Sequence, residues 1–324
     1  MLPKIEKLNL KMKNLIRTLT LFLVFFSVVA VAQKKVYLFS YFVDNGQDGL
    51  HLAFSTDGLK WTPLNDGKSY LSPAVGKDKL MRDPFILQGK DGLFHMVWTS
   101  GWWDKQIGHA SSPDLIHWSE QKVIPVMEHE PTAKNSWAPE MVYDPEKSEY
   151  IIFWATTIPG RHTEVASSES EKGLNHRMYC IKTKDFKTFS PTELFFNPDF
   201  STIDASIFPK NNKFYMFLKN ENSNPPEKNI RITIADKASG PYPVKVSTPI
   251  TGKYWAEGPT TLQVGDFVYV YFDKYMNHQY GAVRSKNMID WEDVSDRVSF
   301  PQGVRHGTAF TVSGKVLSLL LKSN

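Results

Sequence analysis

The stretch Ser55-Thr56-Asp57-Gly58-Leu59-Lys60-Trp61 decides the reading of this chain, because it recurs. Ser112-Pro113-Asp114-Leu115-Ile116-His117-Trp118 and Ser285-Lys286-Asn287-Met288-Ile289-Asp290-Trp291 repeat it. Thr183-Lys184-Asp185-Phe186-Lys187-Thr188-Phe189 is a weaker copy, and ADKASGPY at 235–242 sits where a fifth falls. Each unit has a small polar residue, then Asp or Asn, then an aromatic six residues after the first. Asp and Asn close tight turns on their own backbone. The aromatic then opens the next strand and fills the space between sheets. Strand-like runs precede the turns, among them Phe94-His95-Met96-Val97-Trp98, Tyr150-Ile151-Ile152-Phe153-Trp154 and Phe267-Val268-Tyr269-Val270-Tyr271-Phe272. They are rich in aromatic and β-branched residues and bounded by Asp-Gly and Asn-Gly turn signals. Five strand sets sharing one turn motif predict an all-β, five-bladed β-propeller.

A second series points the same way. Arg82-Asp83-Pro84, Trp137-Ala138-Pro139-Glu140, Ile203-Asp204-Ala205, Glu257-Gly258-Pro259 and Arg305-His306-Gly307 each precede a strand set. The steps from Asp83 to Glu140, Asp204, Glu257 and His306 are 57, 64, 53 and 49 residues, one blade apiece. The remaining blade is then split across the ends of the chain. Thr308–Val312 supplies its innermost strand and the segment from Val36 to Trp61 the rest, so the C-terminal strand pairs with the N-terminal blade. Such closure removes open edges. No linker or break in composition appears after residue 32, so residues 33–324 read as one catalytic propeller.

Residues 1–32 read as an export signal. Basic residues end at Arg17, an apolar run extends from Leu19 to Ala32, and Ala30-Val31-Ala32 is a small-x-small site for cleavage after Ala32. The run is short for a membrane span. No cysteine follows it, so a lipoprotein anchor has no attachment point. Either Met1 or Met12 serves as the start. The expectation is a periplasmic or secreted protein with no membrane partner once the leader is removed. The formal charge of +4 belongs entirely to this leader, and the rest of the chain balances 33 basic against 33 acidic residues. A neutral body gives no electrostatic footprint for nucleic acid. The lone Cys180 excludes an intramolecular disulfide and a cysteine-based zinc site. Aromatic residues are 13%, with nine Trp, which suits an aromatic-lined cleft for carbohydrate.

In a propeller the first strand of every blade lines the axis, so residues at its entrance converge. Asp83, Glu140, Asp204, Glu257 and His306 are therefore expected around one cleft. Trp102 and Trp103 follow a strand end, and Trp255 precedes Glu257 by two residues; all three are candidate platforms for sugar faces. Trp61, Trp118 and Trp291 belong to the repeat and are assigned to the core. The polar stretch from His162 to Arg177 reads as a long loop, and His278 as a surface residue.

These motifs, in this order and spacing, resemble glycoside hydrolase family 43, the five-bladed propeller family of arabinofuranosidases, xylosidases, arabinanases and exo-galactanases. The similarity runs from about Lys35 to Leu321. It implies that Asp83 is the general base, Glu257 the general acid and Asp204 the residue that orients and tunes the acid. Arg305, beside His306, is a candidate contact for Asp204 or a sugar hydroxyl, and His306 is a candidate substrate contact. His306 resembles the family's axial histidine, which faces a central water or cation. No cofactor is required, and calcium at the axis is left open, with any contact from His306 passing through water. For Glu140, substrate binding and bracing of the axis both stand.

The chemistry of the residues agrees. Hydrolysing a glycosidic bond needs one protonated carboxyl for the leaving oxygen and one ionised carboxylate for the water. Two close carboxyls disfavour double ionisation, a route by which Asp204 keeps Glu257 protonated. The expected activity is an exported, inverting, exo-acting glycoside hydrolase. It releases terminal α-L-arabinofuranose or a related sugar from side chains of plant or algal polysaccharides. The alternatives are a β-xylosidase or exo-galactosidase with the same acids, a lyase drawing on Arg82 and Arg305, and a non-catalytic sugar-binding propeller. The partner is an oligosaccharide or polysaccharide; oligomeric state, sugar and linkage stay open.

Overall fold

The computed structural model describes residues 35–163 and 173–323. The leader reading of residues 1–32 lies outside them. Among the described residues nineteen strands build five antiparallel sheets. Strands β1 (Val36–Tyr41), β2 (His51–Ser55) and β3 (Thr62–Pro63) form the first blade with β19 (Thr308–Val312) as its innermost strand. The second blade is β4 (Arg82–Gln88), β5 (Phe94–Thr99), β6 (Ile107–Ser112) and β7 (Lys122–Ile124). The third is β8 (Trp137–Asp144), β9 (Glu149–Thr157), β10 (His176–Thr183) and β11 (Glu193–Phe196). The fourth has three strands, β12 (Thr202–Lys210), β13 (Lys213–Asn220) and β14 (Asn229–Ala235). The fifth is β15 (Glu257–Val264), β16 (Phe267–Lys274), β17 (Gln279–Ser285) and β18 (Glu292–Asp293).

The split blade closes as the sequence implies. β19 pairs antiparallel with β1, from Val36 opposite Val312 to Ser40 opposite Thr308. Gly307 turns into β19 so close to the backbone that a Cβ there would lie 1.7 Å from the Ser40 carbonyl oxygen. Next comes a short helix, α1 (Gly314–Leu320), capped by Ser313. Its Leu320 is buried with the core shared by the first two blades. Where the fourth blade lacks an outer strand, Ser247 and Ile250 donate their backbone N–H groups to Ile232 and Ile230. The edge of β14 is thus covered rather than open to pairing.

The repeated turn joins the third strand of a blade to the segment leading into the fourth. Ser55 Oγ accepts from Gly58 N, and Asp57 Oδ1 accepts from Leu59 N and Lys60 N. Asp114, Asp185 and Asn287 repeat the pattern. Trp61 is buried, while Trp118 and Trp291 are partly buried against the cores on either side. Five apolar clusters result, one between each pair of neighbouring blades. The expected loop from His162 ends before His176. His176 and Arg177 begin β10, and residues 164–172 are outside the described residues. No helix among the described residues is long and apolar enough to cross a membrane.

Candidate active site

Four of the innermost strands open with the same irregularity. The pairing register shifts between Arg82 and Phe85, Trp137 and Glu140, Ile203 and Ser206, and Glu257 and Thr260. At each, one residue has left-handed backbone: Asp83 (φ 52°), Ala138 (45°), Asp204 (53°) and Gly258 (60°). A bulge of this kind bends the strand and re-aims side chains. Left-handed geometry costs most residues energy; Asp tolerates it better, and Gly pays no Cβ penalty. At Gly258 even the smallest side chain is excluded, since a Cβ would meet the His306 ring at 2.5 Å.

The bulges correct the expected ring. Asp83, Ala138, Asp204 and Gly258 occupy one position. Glu257 lies one residue before it, in step with Arg82, Trp137 and Ile203. Glu140 lies two residues after it, in step with Phe85, Ser206 and Thr260. Asp83, Asp204, Glu257, Arg305 and His306 still line one cavity of about 230 Å³, with Trp102 and Trp137. Glu140 does not. It is buried, Oε2 has no hydrogen-bond partner, and burial drives its carboxyl up to about 8. It faces His306 from the axis, without access to a sugar in the cavity. Trp103 is 55% exposed beside Trp137 and outside the cavity. Trp255 packs toward Tyr275 and lines a neighbouring groove. His278 is an exposed residue after β16.

Each carboxyl group has a different environment. Burial works against ionised Asp83, but His306 (Nδ1 to Oδ1, 3.3 Å), Arg82 and the Thr99 hydroxyl (2.7 Å to Oδ2) outweigh it. Asp83 is therefore held below its usual range and is ionised. Burial drives Asp204 up to about 6; the Glu257 carboxylate adds to this, against His306 and Lys219. Its Oδ2 accepts from Gly258 N at 3.0 Å, which ties the fourth blade to the fifth. Burial alone would strip the proton from His306, yet Asp204 and Asp83 hold it on, up to about 9.

Glu257 departs from expectation. Burial would raise its carboxyl, but Lys219 Nζ sits 2.9 Å from Oε2, and Arg305 Nη2 sits 3.5 Å from Oε1. Together they hold Glu257 below its usual range. Burial thus raises Asp204 while the two cations lower Glu257, the reverse of the direction expected for the pair.

Lys219, missed in the sequence, is the end of a buried chain. Its Nζ also reaches Glu221 Oε2 at 2.7 Å, and Lys228 Nζ reaches Glu221 Oε1 at 2.7 Å. Lys219 and Lys228 are nearly inaccessible. Asp273, also missed, takes Arg305 Nε at 2.7 Å. The available signal was modest: Lys219-Asn220-Glu221 puts charge at the end of the apolar run Phe214–Leu218. Trp137 was quoted only as part of a motif. Its ring meets Trp102 edge-on at 5.7 Å, and its Nε1 donates to the Trp102 carbonyl at 2.7 Å.

The axis offers calcium few oxygen ligands. A hard cation needs several oxygen ligands. Here it would meet an imidazolium at His306 and a carboxyl at Glu140 that holds its proton past neutral pH. No group of three or more metal-ligating side chains gathers among the described residues.

A propeller with three carboxyls from different blades and two tryptophans around one small cavity is the architecture of a carbohydrate-active hydrolase. The glycosyl hydrolase 43-related family model, described as a probable glycosyl hydrolase domain, matches residues 33–316, and the chain belongs to this family. It is 23% identical over 184 residues to an α-L-arabinofuranosidase of Bifidobacterium longum, covering 51% of this chain and 17% of that protein. The chain thus spans about a sixth of that relative's length. Among solved structures, α-L-arabinofuranosidase from Lactobacillus brevis superposes with a TM-score of 0.50 at 17% identity, over 66% of this chain and 72% of that one. A thermostable family-43 glycoside hydrolase gives 0.52 at 15%, over 71% and 82%. The exo-β-1,3-galactanase of Phanerochaete chrysosporium with galactose gives 0.50 at 15%, over 66% and 49%. At these identities the likeness establishes the fold.

Proposed function

We propose that this protein is an exo-acting glycoside hydrolase that inverts the anomeric centre, releasing terminal α-L-arabinofuranose or a related sugar. The observation that carries the reading is the set of Asp83, Asp204 and Glu257, from three different blades, around one small cavity. Asp83, kept ionised, takes a proton from water as the water oxygen bonds to the anomeric carbon. The bond from that carbon to the leaving oxygen breaks, and the oxygen takes a proton from Glu257. Lys219 and Arg305 stabilise the carboxylate that Glu257 becomes, which makes it a strong acid once protonated. Asp204, raised by burial and by the charge of Glu257, orients and tunes the acid. Trp102 and Trp137 give the sugar a stacking wall.

A panel of nitrophenyl α-L-arabinofuranoside, β-xyloside and β-galactoside, scored by released sugar, separates arabinofuranosidase from its alternatives. Proton resonance of the first product identifies the anomer, and a retained configuration refutes inversion. If wild type and Glu257→Gln are equally inactive on every substrate, the binding-propeller reading replaces the hydrolase. Export rests on residues 1–32 alone, and N-terminal sequencing of the mature protein for a start at Gln33 tests it.

A further inference from the structure

One cation in the cavity makes no ion pair within 4 Å of a carboxylate among the described residues, although the charge of Asp83 beside it is felt by both groups. Lys219 is shared by Glu257 and Glu221, Arg305 is bound to Asp273, and His306 lies against Asp83. Arg82 is the exception among the described residues. Its side chain makes one hydrogen bond, from Nη1 to Asn45 Oδ1 at 2.8 Å. Cζ of its guanidinium lies 4.2 Å from the Trp102 ring centroid and 4.7 Å from that of Phe42. Asn45 Oδ1 also accepts from Trp102 Nε1 at 3.1 Å, so Asn45, Trp102 and Arg82 brace one another. The planar fork is held in place before any ligand arrives, with donors left over. Such a fork matches the paired oxygens of a carboxylate or sulfate.

The surroundings add to this. Arg305 lies over the same Phe42 ring, at 5.9 Å, so two guanidiniums share one aromatic face. Four cations and four carboxyl groups line the cavity: Arg82, Lys219, Arg305 and His306 against Asp83, Asp204, Glu221 and Glu257. Asp204 keeps its proton below about pH 6, which leaves the lining one negative charge short. An arginine that merely covers apolar surface sends its head group to open water. Arg82 instead lines the cavity next to Asp83.

We propose that Arg82 receives an oxyanion carried by the sugar, the carboxylate of a uronic acid or a sulfate ester, so that the cavity prefers acidic sugars. The proposal deepens the hydrolase reading and rests on it. Binding is measured calorimetrically, without turnover, for galactose, galacturonate, galactose 6-sulfate, glucose, glucuronate and inorganic sulfate. Wild type, Arg82→Gln and Arg82→Lys are compared at two salt concentrations. In wild type at least one acidic probe should bind roughly ten- to a hundredfold more tightly than its neutral parent, as a charge-assisted hydrogen bond supplies. The uronate and sulfate arms tell the two sources apart. Arg82→Gln should abolish the gap, Arg82→Lys should keep part of it, and salt should narrow it. If Arg82→Gln fails to fold, the lysine variant and the salt dependence decide. Equal binding of acidic and neutral probes, no binding of any probe, or a gap that survives in Arg82→Gln overturns the proposal. Hydrolysis of neutral nitrophenyl glycosides without an acidic preference overturns this inference alone. An acidic preference without hydrolysis of any glycoside overturns the hydrolase reading alone.

Discussion

Replacing Lys219 with methionine keeps most of the side chain's volume and removes one charge. Lys219 Nζ lies 2.9 Å from Glu257 Oε2. With an effective dielectric constant near 20, a unit pair at that distance attracts by about 6 kcal/mol. That is a ceiling, because Lys219 divides its charge with Glu221 and its burial costs solvation. Neighbouring opposite charges shift carboxyl groups by about 1–3 pH units, and each unit is about 1.4 kcal/mol. The sign follows directly. Glu257 must be protonated to act, so activity falls as pH rises through the titration of the Asp204–Glu257 pair. In wild type that falling limb is expected near pH 6, where Asp204 titrates. Without Lys219, Glu257 holds its proton to higher pH and takes it from Asp204. The falling limb of the kcat profile in Lys219→Met should move up by one unit or more, while Lys219→Arg should stay near wild type. Breaking a buried charge network also lowers stability by about 3–5 kcal/mol, so a thermal melt accompanies each profile. A folded, active Lys219→Met with an unmoved limb would show that Lys219 does not govern the proton of Glu257.

Three further outcomes are expected. Gly258→Ala should lose both activity and melting temperature, since its Cβ would sit 2.5 Å from the His306 ring on backbone with φ of 60°; an active, stable variant would contradict the packing at the axis. Trp102→Ala should raise KM about two- to tenfold for sugar substrates with little change in melting temperature, because the ring is 38% exposed and stacking is worth about 0.5–1.5 kcal/mol; unchanged KM would remove Trp102 from the sugar wall. Burial holds the imidazoles of His109 and His176 neutral down to about pH 3. The unfolded chain binds protons to these two first, so their contribution is complete above about 6.5 and is lost as pH falls toward 3, at about 1.4 kcal/mol per unit for each. Denaturant unfolding from pH 7 to 4 should show a shallower fall for His109→Phe than for wild type, and parallel curves would refute this.

The fold was legible because its signals are local. Asp57, Asp114, Asp185 and Asn287 bond to backbone amides two and three residues ahead, so the sequence around each carries the whole turn. The split blade was legible for a similar reason, since Thr308–Val312 is a strand without neighbours in sequence and Val36–Tyr41 is a blade without an inner strand. Lys219 and Asp273 were not legible. Each sits near the end of the second strand of its blade, and each takes its meaning from partners 32 to 38 residues away, Arg305 and Glu257. Nothing beside them in the chain announces the pairing.

The ring of acids was half legible, and the bulges explain which half. Counting blades predicts which strand entrances meet, but not which residue at an entrance faces inward. In an uninterrupted strand, neighbours alternate faces. A left-handed residue inserted at the entrance breaks that alternation, so residues before and after it take separate directions. Glu257, before the bulge, reaches the cavity beside Lys219, whereas Glu140, after the bulge, is sent down the axis to His306. The two glutamates look equivalent as members of a spaced series, yet three residues of offset about the bulge give one a solvent-reached cavity and the other a buried place at the axis. That offset separates their proton affinities in opposite directions, Glu257 downward through its cations and Glu140 upward through burial. The role of an acidic residue in this propeller is therefore set by its position relative to the bulge before it is set by its type.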